Sequence, residues 1–156
     1  MDATEFRKAK QFLFDDIERE IELAKAPKAA MRDAGVRPGG GNFLAALGLL
    51  CYTEFGGRLK YKRPRARENF NLFFDDLGQH YKDFREAGHN VYDVFRCGMA
   101  HQYMIKQPSG ISMLGTGAPA GIRQLPDGSY EFIVERYFLD LKCAFQDLDK
   151  KLFQSL

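Results

Sequence analysis

The sequence predicts a mainly α-helical fold, an antiparallel bundle of about five helices with a small β-hairpin or meander inserted before the last one. Three observations carry that prediction. Up to Met104, apolar residues recur every three or four positions through successive stretches, the period of helices with one buried face. Between Pro108 and Val134 this gives way to short apolar runs divided by glycines and a Pro126-Asp127-Gly128 turn, the pattern of brief strands. The helical period then returns, with Phe138, Leu141, Phe145, Leu148 and Leu152 in heptad-like order.

Taken in order, Phe6, Ala9, Leu13, Ile17 and Ala24 mark a first helix from Asp2 to Ala24, opened by the capping box Asp2-x-x-Glu5. Pro27 ends it, and Gly35, Pro38 and Gly39-Gly40-Gly41 make the segment to Gly41 an irregular connection. Asn42 is placed to cap a second helix reaching about Lys60 and burying Phe43, Leu44, Leu47, Leu50 and Phe55. Pro64 interrupts the chain. A third helix, Arg67 to Glu86, lines up Phe70, Phe73, Phe74, Leu77, Tyr81 and Phe84 and stops at Gly88. Asn90 caps a fourth, Val91 to Met104, and the β insert, about 110–134, takes strands from Ile111 to Leu114, Gly121 to Gln124 and Ser129 to Val134.

Composition bounds the function. At 156 residues and 45% hydrophobic, the chain is long enough for a real core and short for two, so residues 1–156 are expected to form a single domain. Twenty-three Lys and Arg against 21 Asp and Glu leave a net charge of +2, too little to imply nucleic acid by itself. Cys51, Cys97 and Cys143 are odd in number and far apart, which argues against a disulfide framework and suits a reducing, cytoplasmic setting. No signal peptide is evident and no apolar run approaches the ~20 residues of a membrane span, so no membrane partner is expected.

Several segments invite chemistry. Gly39-Gly40-Gly41 precedes a helix, but no Gly-Lys-Ser/Thr follows and no strand leads into it, so the glycines are read as a sharp loop. His80, His89 and His101 lack the spacing of metal ligands, and neither a metal nor another cofactor is called for. Arg58, Lys60, Lys62, Arg63, Arg65 and Arg67, with Tyr61 among them, form the densest positive run. They would hold a phosphate backbone and stack a base, or else form a solvated linker partly neutralised by Glu54 four residues before Arg58.

The fourth helix separates into two faces. At ~100° per residue, Val91, Val94, Phe95, Gly98 and Met99 gather towards the core, while Asp93, Arg96, Cys97, Ala100 and His101 collect opposite. On an ideal helix Arg96 and His101 stand ~140° apart and flank this second face. Cys97 and Ala100 between them are small enough for a second copy of the helix to approach, which would build a composite site from two Arg/His sets. A blander arrangement also fits, with Arg96 bonded to Asp93 and His101 buried in an interface.

The segment Val91-Tyr-Asp-Val-Phe-Arg-Cys-Gly-Met-Ala-His-Gln-Tyr103, with its Arg96-x4-His101 spacing, resembles the motif helix of HEPN-domain proteins. Leu50-Cys-Tyr-Thr-Glu-Phe-Gly-Gly-Arg-Leu59 resembles bacterial proteins of the same kind, and the likeness covers the second to fourth helices but hardly the β insert. The resemblance implies a helical bundle that dimerises through the motif helix and acts as a metal-independent endoribonuclease in toxin, defence or RNA-processing systems. His101 would be the general acid/base and Arg96 the phosphate-binding group, with Asp93, Cys97 and Tyr103 in support. An antitoxin or nucleotidyltransferase partner is implied with them. The chain departs from the family where Cys97 stands in place of the polar Asn, Asp or His that commonly follows the arginine. That departure keeps open a catalytically silent relative that binds RNA, nucleotide or protein, and a purely structural dimer.

Overall fold

The structure is a computed structural model and describes residues 1–102, 104–115 and 117–153. Helix α1 (Ala3–Lys25) begins at the expected capping box: Glu5 N donates to Asp2 Oδ1 at 2.9 Å and Asp2 N to Glu5 Oε2 at 3.0 Å. Its buried residues, Phe6, Phe14, Ile17 and Ile21, face the closing helix α7 (Val134–Phe153). Phe14 meets Phe138 edge-on at 5.5 Å, and Arg7 and Lys10 both reach Asp149 at 3.0 Å.

The expected irregular connection contains a short helix, α2 (Lys28–Asp33). Pro27 occupies its N-cap position, where a missing N–H costs nothing, and Ala29, Ala30 and Met31 are good helix formers. Beyond it the three consecutive glycines all take positive φ, and Gly41 rather than Asn42 stands at the N-cap of α3 (Asn42–Tyr61). Asn42 instead donates its side-chain amide to Ile111 O at 2.8 Å, tying α3 to the β insert. Leu44, expected in the core, is 62% exposed.

Helix α3 is the central element, and its tightest neighbour is α4 (Ala66–Asp76). Gly57 has the Asn69 carbonyl where a Cβ would lie, and Gly56 has the Phe73 ring, so these two glycines set the spacing of the pair. Asn69 in turn clamps the linker: its Oδ1 accepts from Arg63 N and its Nδ2 donates to Arg63 O, both at 2.8 Å. The expected single helix Arg67 to Glu86 is broken into α4 and α5 (Gln79–Glu86). Gly78, at φ 139°, makes the break in a backbone conformation that L side chains rarely adopt.

The expected fourth helix is a π-helical turn, Tyr92–Cys97, continued by a short α6 (Gly98–Gln102). Asn90 caps it, its Oδ1 accepting from Asp93 N at 3.2 Å. Val91, Val94, Phe95, Gly98 and Met99 are buried, as the periodicity required. The helix ends at Gln102, short of Met104, because the chain folds back across Gly98. Met104 N donates to Gly98 O and Lys106 N to Val94 O. A Cβ on residue 98 would lie 2.5 Å from Met104 O.

The β insert is a three-stranded sheet in the order β1-β3-β2, with β1 (Ser109–Ser112), β2 (Ile122–Gln124) and β3 (Tyr130–Ile133). A meander would keep the strands in sequence order and antiparallel. Here β3 is central, antiparallel to β2 through the Pro126-Asp127-Gly128 turn but parallel to β1, with Ile111 opposite Phe132. Tyr130 and Phe132 lie against Phe95, with ring centroids 6.2 and 5.9 Å from it, so the sheet supports the π turn from the core side. Helix α7 leaves β3 directly. Phe138, Leu141, Phe145 and Leu148 are buried, whereas Leu152 is exposed.

The added helix α2 and the break at Gly78 turn the expected five helices into seven among the described residues, and the architecture is mainly α with a small mixed sheet. No helix among those residues is long and apolar enough to cross a membrane.

Candidate functional site

Arg96 emerges from the π turn. Such a turn takes more residues to go round than an α turn, so Arg96 and His101 are separated by less rotation than the ~140° of an ideal α-helix. The Arg96 side chain points to α3 and is 18% exposed, with its Nε 2.8 Å from Glu54 Oε2. Both atoms are closed off from solvent, and neither makes a directed hydrogen bond, so the contact is an ion pair held by charge and proximity. Arg96 therefore does not pair with Asp93, and Glu54 does not neutralise Arg58.

Asp93 is committed elsewhere. Arg67 donates to both its oxygens at 2.7 and 2.8 Å, and Asn90 Nδ2 to Oδ2 at 2.6 Å. Tyr92 lies between the two arginines, its ring 5.6 Å from Arg67 Cζ and 5.8 Å from Arg96 Cζ, with Phe70 edge-on at 5.3 Å. Burial raises the Tyr92 hydroxyl above its ordinary pKa, Glu54 and the nearby Cys97 raise it further, and Arg96 opposes them. Cys51, one turn before Glu54 on α3, is likewise raised by burial, with Arg96 opposing and Glu54 adding to the effect. That direction disfavours the thiolate, the reactive form of a cysteine.

His101 is exposed on α6 and makes no hydrogen bond or ion pair among the described residues. Within one chain it has no such partner among the described residues, and its burial in an interface would need a second copy. Ala100 beside it is exposed, Cys97 is half-buried, and Tyr103 lies outside the described residues. Two surface clefts lie in this part of the molecule. One is lined by Arg67, Asn71, Arg85, Gly88, His89 and Asn90, the other by residues including Phe43, Met104 and Lys106; Arg96 and His101 line neither.

The six-residue basic run is divided by the fold. Lys60 pairs with Asp76 at 2.8 Å, Arg65 with Glu68 at 3.7 Å and Arg67 with Asp93. Arg58, Lys62 and Arg63 are exposed and carry no ion pair among the described residues. His89 stacks on Phe84 at 4.2 Å with its Nδ1 3.0 Å from the Tyr130 hydroxyl, a packing role, and His80 is exposed. Among the described residues no three His, Cys, Asp or Glu side chains converge as a metal-holding group.

The site residues that the sequence reading missed are Glu54, Cys51 and the ring of Tyr92. Periodicity places Cys51 and Glu54 on one face of α3, but nothing in a single sequence says which helix that face meets. No family model, no curated protein and no solved structure matches this chain.

Proposed function

We propose that this protein is a HEPN-like, metal-independent endoribonuclease whose Arg96 and His101 form a composite site across a homodimer. The observation that carries the reading is the pairing, on one helical run, of a half-buried arginine held from behind with an exposed histidine that has no partner among the described residues. In this mechanism His101 removes the proton from a ribose 2′-hydroxyl. The freed oxygen bonds to the neighbouring phosphorus, the bond from phosphorus to the 5′-oxygen breaks, and a protonated His101 of a second copy supplies the leaving oxygen's proton. Arg96 stabilises the charge that gathers on the phosphoryl oxygens. The products are a 2′,3′-cyclic phosphate and a 5′-hydroxyl. Arg58, Lys62 and Arg63 offer charges for the RNA backbone.

The second copy has a plausible seat. Ala100 is exposed near the half-buried Cys97, and Met104, 58% exposed, adds apolar surface. Light scattering at micromolar concentration should give a dimer, and Ala100→Trp should dissociate it without unfolding the chain; a monomeric wild type would remove the composite site. Purified protein should cut RNA in EDTA, and Arg96→Ala and His101→Ala should each abolish cutting. Cleavage that survives in the His101 variant, or that vanishes in EDTA, would overturn the mechanism. The ion pairing of Arg96 and the presence of Cys97 after it favour a second reading, a silent relative that binds RNA, nucleotide or protein, and uncut but bound RNA would select it. An antitoxin or nucleotidyltransferase partner belongs to either reading and is sought by co-purification.

A further inference from the structure

Three arginine–carboxylate pairs elsewhere in this fold use the guanidinium as a fork. Arg85 gives both Nε and Nη2 to Asp75, at 2.6 and 2.7 Å. Arg136 gives the same two nitrogens to Asp140, at 3.0 and 2.8 Å, and Arg7 the same two to Asp149. Such two-point pairs lock side chains and consume their donors. Arg96 differs. Its contact with Glu54 brings Nε to 2.8 Å from Oε2 without a directed hydrogen bond, and the terminal nitrogens Nη1 and Nη2 make no hydrogen bond among the described residues. The Tyr92 ring stands beside the guanidinium at 5.8 Å and limits where it can go.

We propose that Glu54 is a positioning residue: it holds Arg96 from the Nε side by charge alone, so that the two terminal nitrogens stay presented to a phosphodiester oxygen pair. The proposal rests on reading Arg96 as a phosphate-binding group. Glu54 does not touch the reacting atoms, and it stays on Arg96 when the phosphate arrives. A carboxylate that had to be displaced would instead be an inhibitory contact, and the two cases differ in sign.

The test uses full-length protein with ¹⁵N-labelled arginine and an all-2′-O-methyl oligoribonucleotide, which a 2′-oxygen mechanism cannot cut. In the wild type the terminal-nitrogen signals of Arg96 should move on adding the oligonucleotide, while its Nε signal stays narrow and in place. Glu54→Gln should remain folded and bind the probe equally or more tightly, since a negative charge has gone. Its Arg96 signals should broaden, and kcat on cleavable RNA should fall on the order of ten-fold or more as the guanidinium loses its fixed place. Glu54→Asp, which keeps the charge, should recover part of that loss. A rise in kcat in Glu54→Gln, or displacement of the Nε signal by the probe, would show an inhibitory contact and overturn the proposal. A parallel loss of thermal stability and probe affinity would make Glu54 merely structural. If the protein cuts no RNA, the nuclease reading fails by itself, and the Arg96 signals still decide: movement by the probe with broadening in Glu54→Gln upholds positioning, and their indifference ends it.

Discussion

The seam around Phe145 and the helical run carrying Arg96 pack on different faces of α3 and are held by different physics. Phe6, Phe14, Tyr52, Phe55 and Phe73 all place their rings between 5.4 and 6.5 Å from Phe145, drawing α1, α3, α4 and α7 onto one residue. That contact is apolar, non-directional and made many times over. The Arg96 run is anchored in the core by Val91, Val94, Phe95 and Met99, but around Arg96 itself it depends on single devices: a π turn, one undirected ion pair, and a chain that folds back over one glycine. Stability is spread unevenly in proteins, and elements with few buried contacts are the ones free to move or bind. The difference therefore separates the part of this molecule that must be rigid from the part that can respond to a ligand.

The largest effects should break that comparison most plainly if it is wrong. Phe145→Ala removes the ring on which five others rest and should cost about 3–5 kcal/mol in urea denaturation, enough to threaten folding. His101→Ala, on the exposed α6, should change stability by no more than about 0.5 kcal/mol and, under the nuclease function we propose, lower RNA cleavage by roughly 10²–10⁴-fold. A folded, active Phe145 variant, or a His101 variant that unfolds, would reverse the assignment of the two regions.

The seam was largely legible in the sequence because a period of 3.6 residues reports which side of a helix is wet. Phe6, Phe70, Phe73 and Phe145 follow from spacing alone. Breaks and partners were less legible. Gly78 interrupts a run of aromatics whose period continues on both sides, so α4 and α5 read as one helix. The short α2 hid among residues that surround it with turn signals. In the site, the residues on the motif helix were visible as a pattern, but their partners were not. Both guesses based on nearby sequence, Arg96 with Asp93 and Glu54 with Arg58, failed because the actual pairs join different helices: Glu54 on α3 to Arg96, and Arg67 on α4 to Asp93. The β insert shows the same limit, since its strands were read from composition but their order depends on pairing β1 beside β3.

A smaller effect is expected at the join between the two regions. Gly98 sits where the returning chain crosses the motif helix, and an added methyl group would meet Met104 O at 2.5 Å. Gly98→Ala should cost about 1–3 kcal/mol as the returning segment shifts, and it should reduce cleavage more than that loss of folded protein explains. Hydrogen exchange offers the sharper measurement. Protection should fall at Met104 and Lys106, whose N–H groups bond back to Gly98 and Val94, while amides around Phe145 keep their rates. Equal loosening of both regions would mean that they form one cooperative unit.

The smallest effect concerns pH, and it distinguishes the centre of the seam from its rim. Asp149 is buried at the end of α7, where Arg7 donates to it from Nε and Nη2 and Lys10 approaches at 3.0 Å. The hydrogen bonds from Arg7 hold its carboxyl below the ordinary carboxylate range; burial opposes this, and Lys10 adds to the lowering. A carboxyl whose folded value is depressed contributes stability that is fully present above its unfolded value of about 3.9 and is lost as pH falls through the folded value. Asp149→Asn abolishes that titration. Urea denaturation of wild type and variant should therefore show a constant difference above about pH 5 and a shrinking one below about pH 4. Phe145 has nothing to titrate, so the deficit of Phe145→Ala should not follow that acid limb. If the Asp149→Asn difference stays flat down to about pH 3, the Arg7–Lys10–Asp149 cluster adds no pH-linked stability, and the α1–α7 seam is held by its aromatic packing alone.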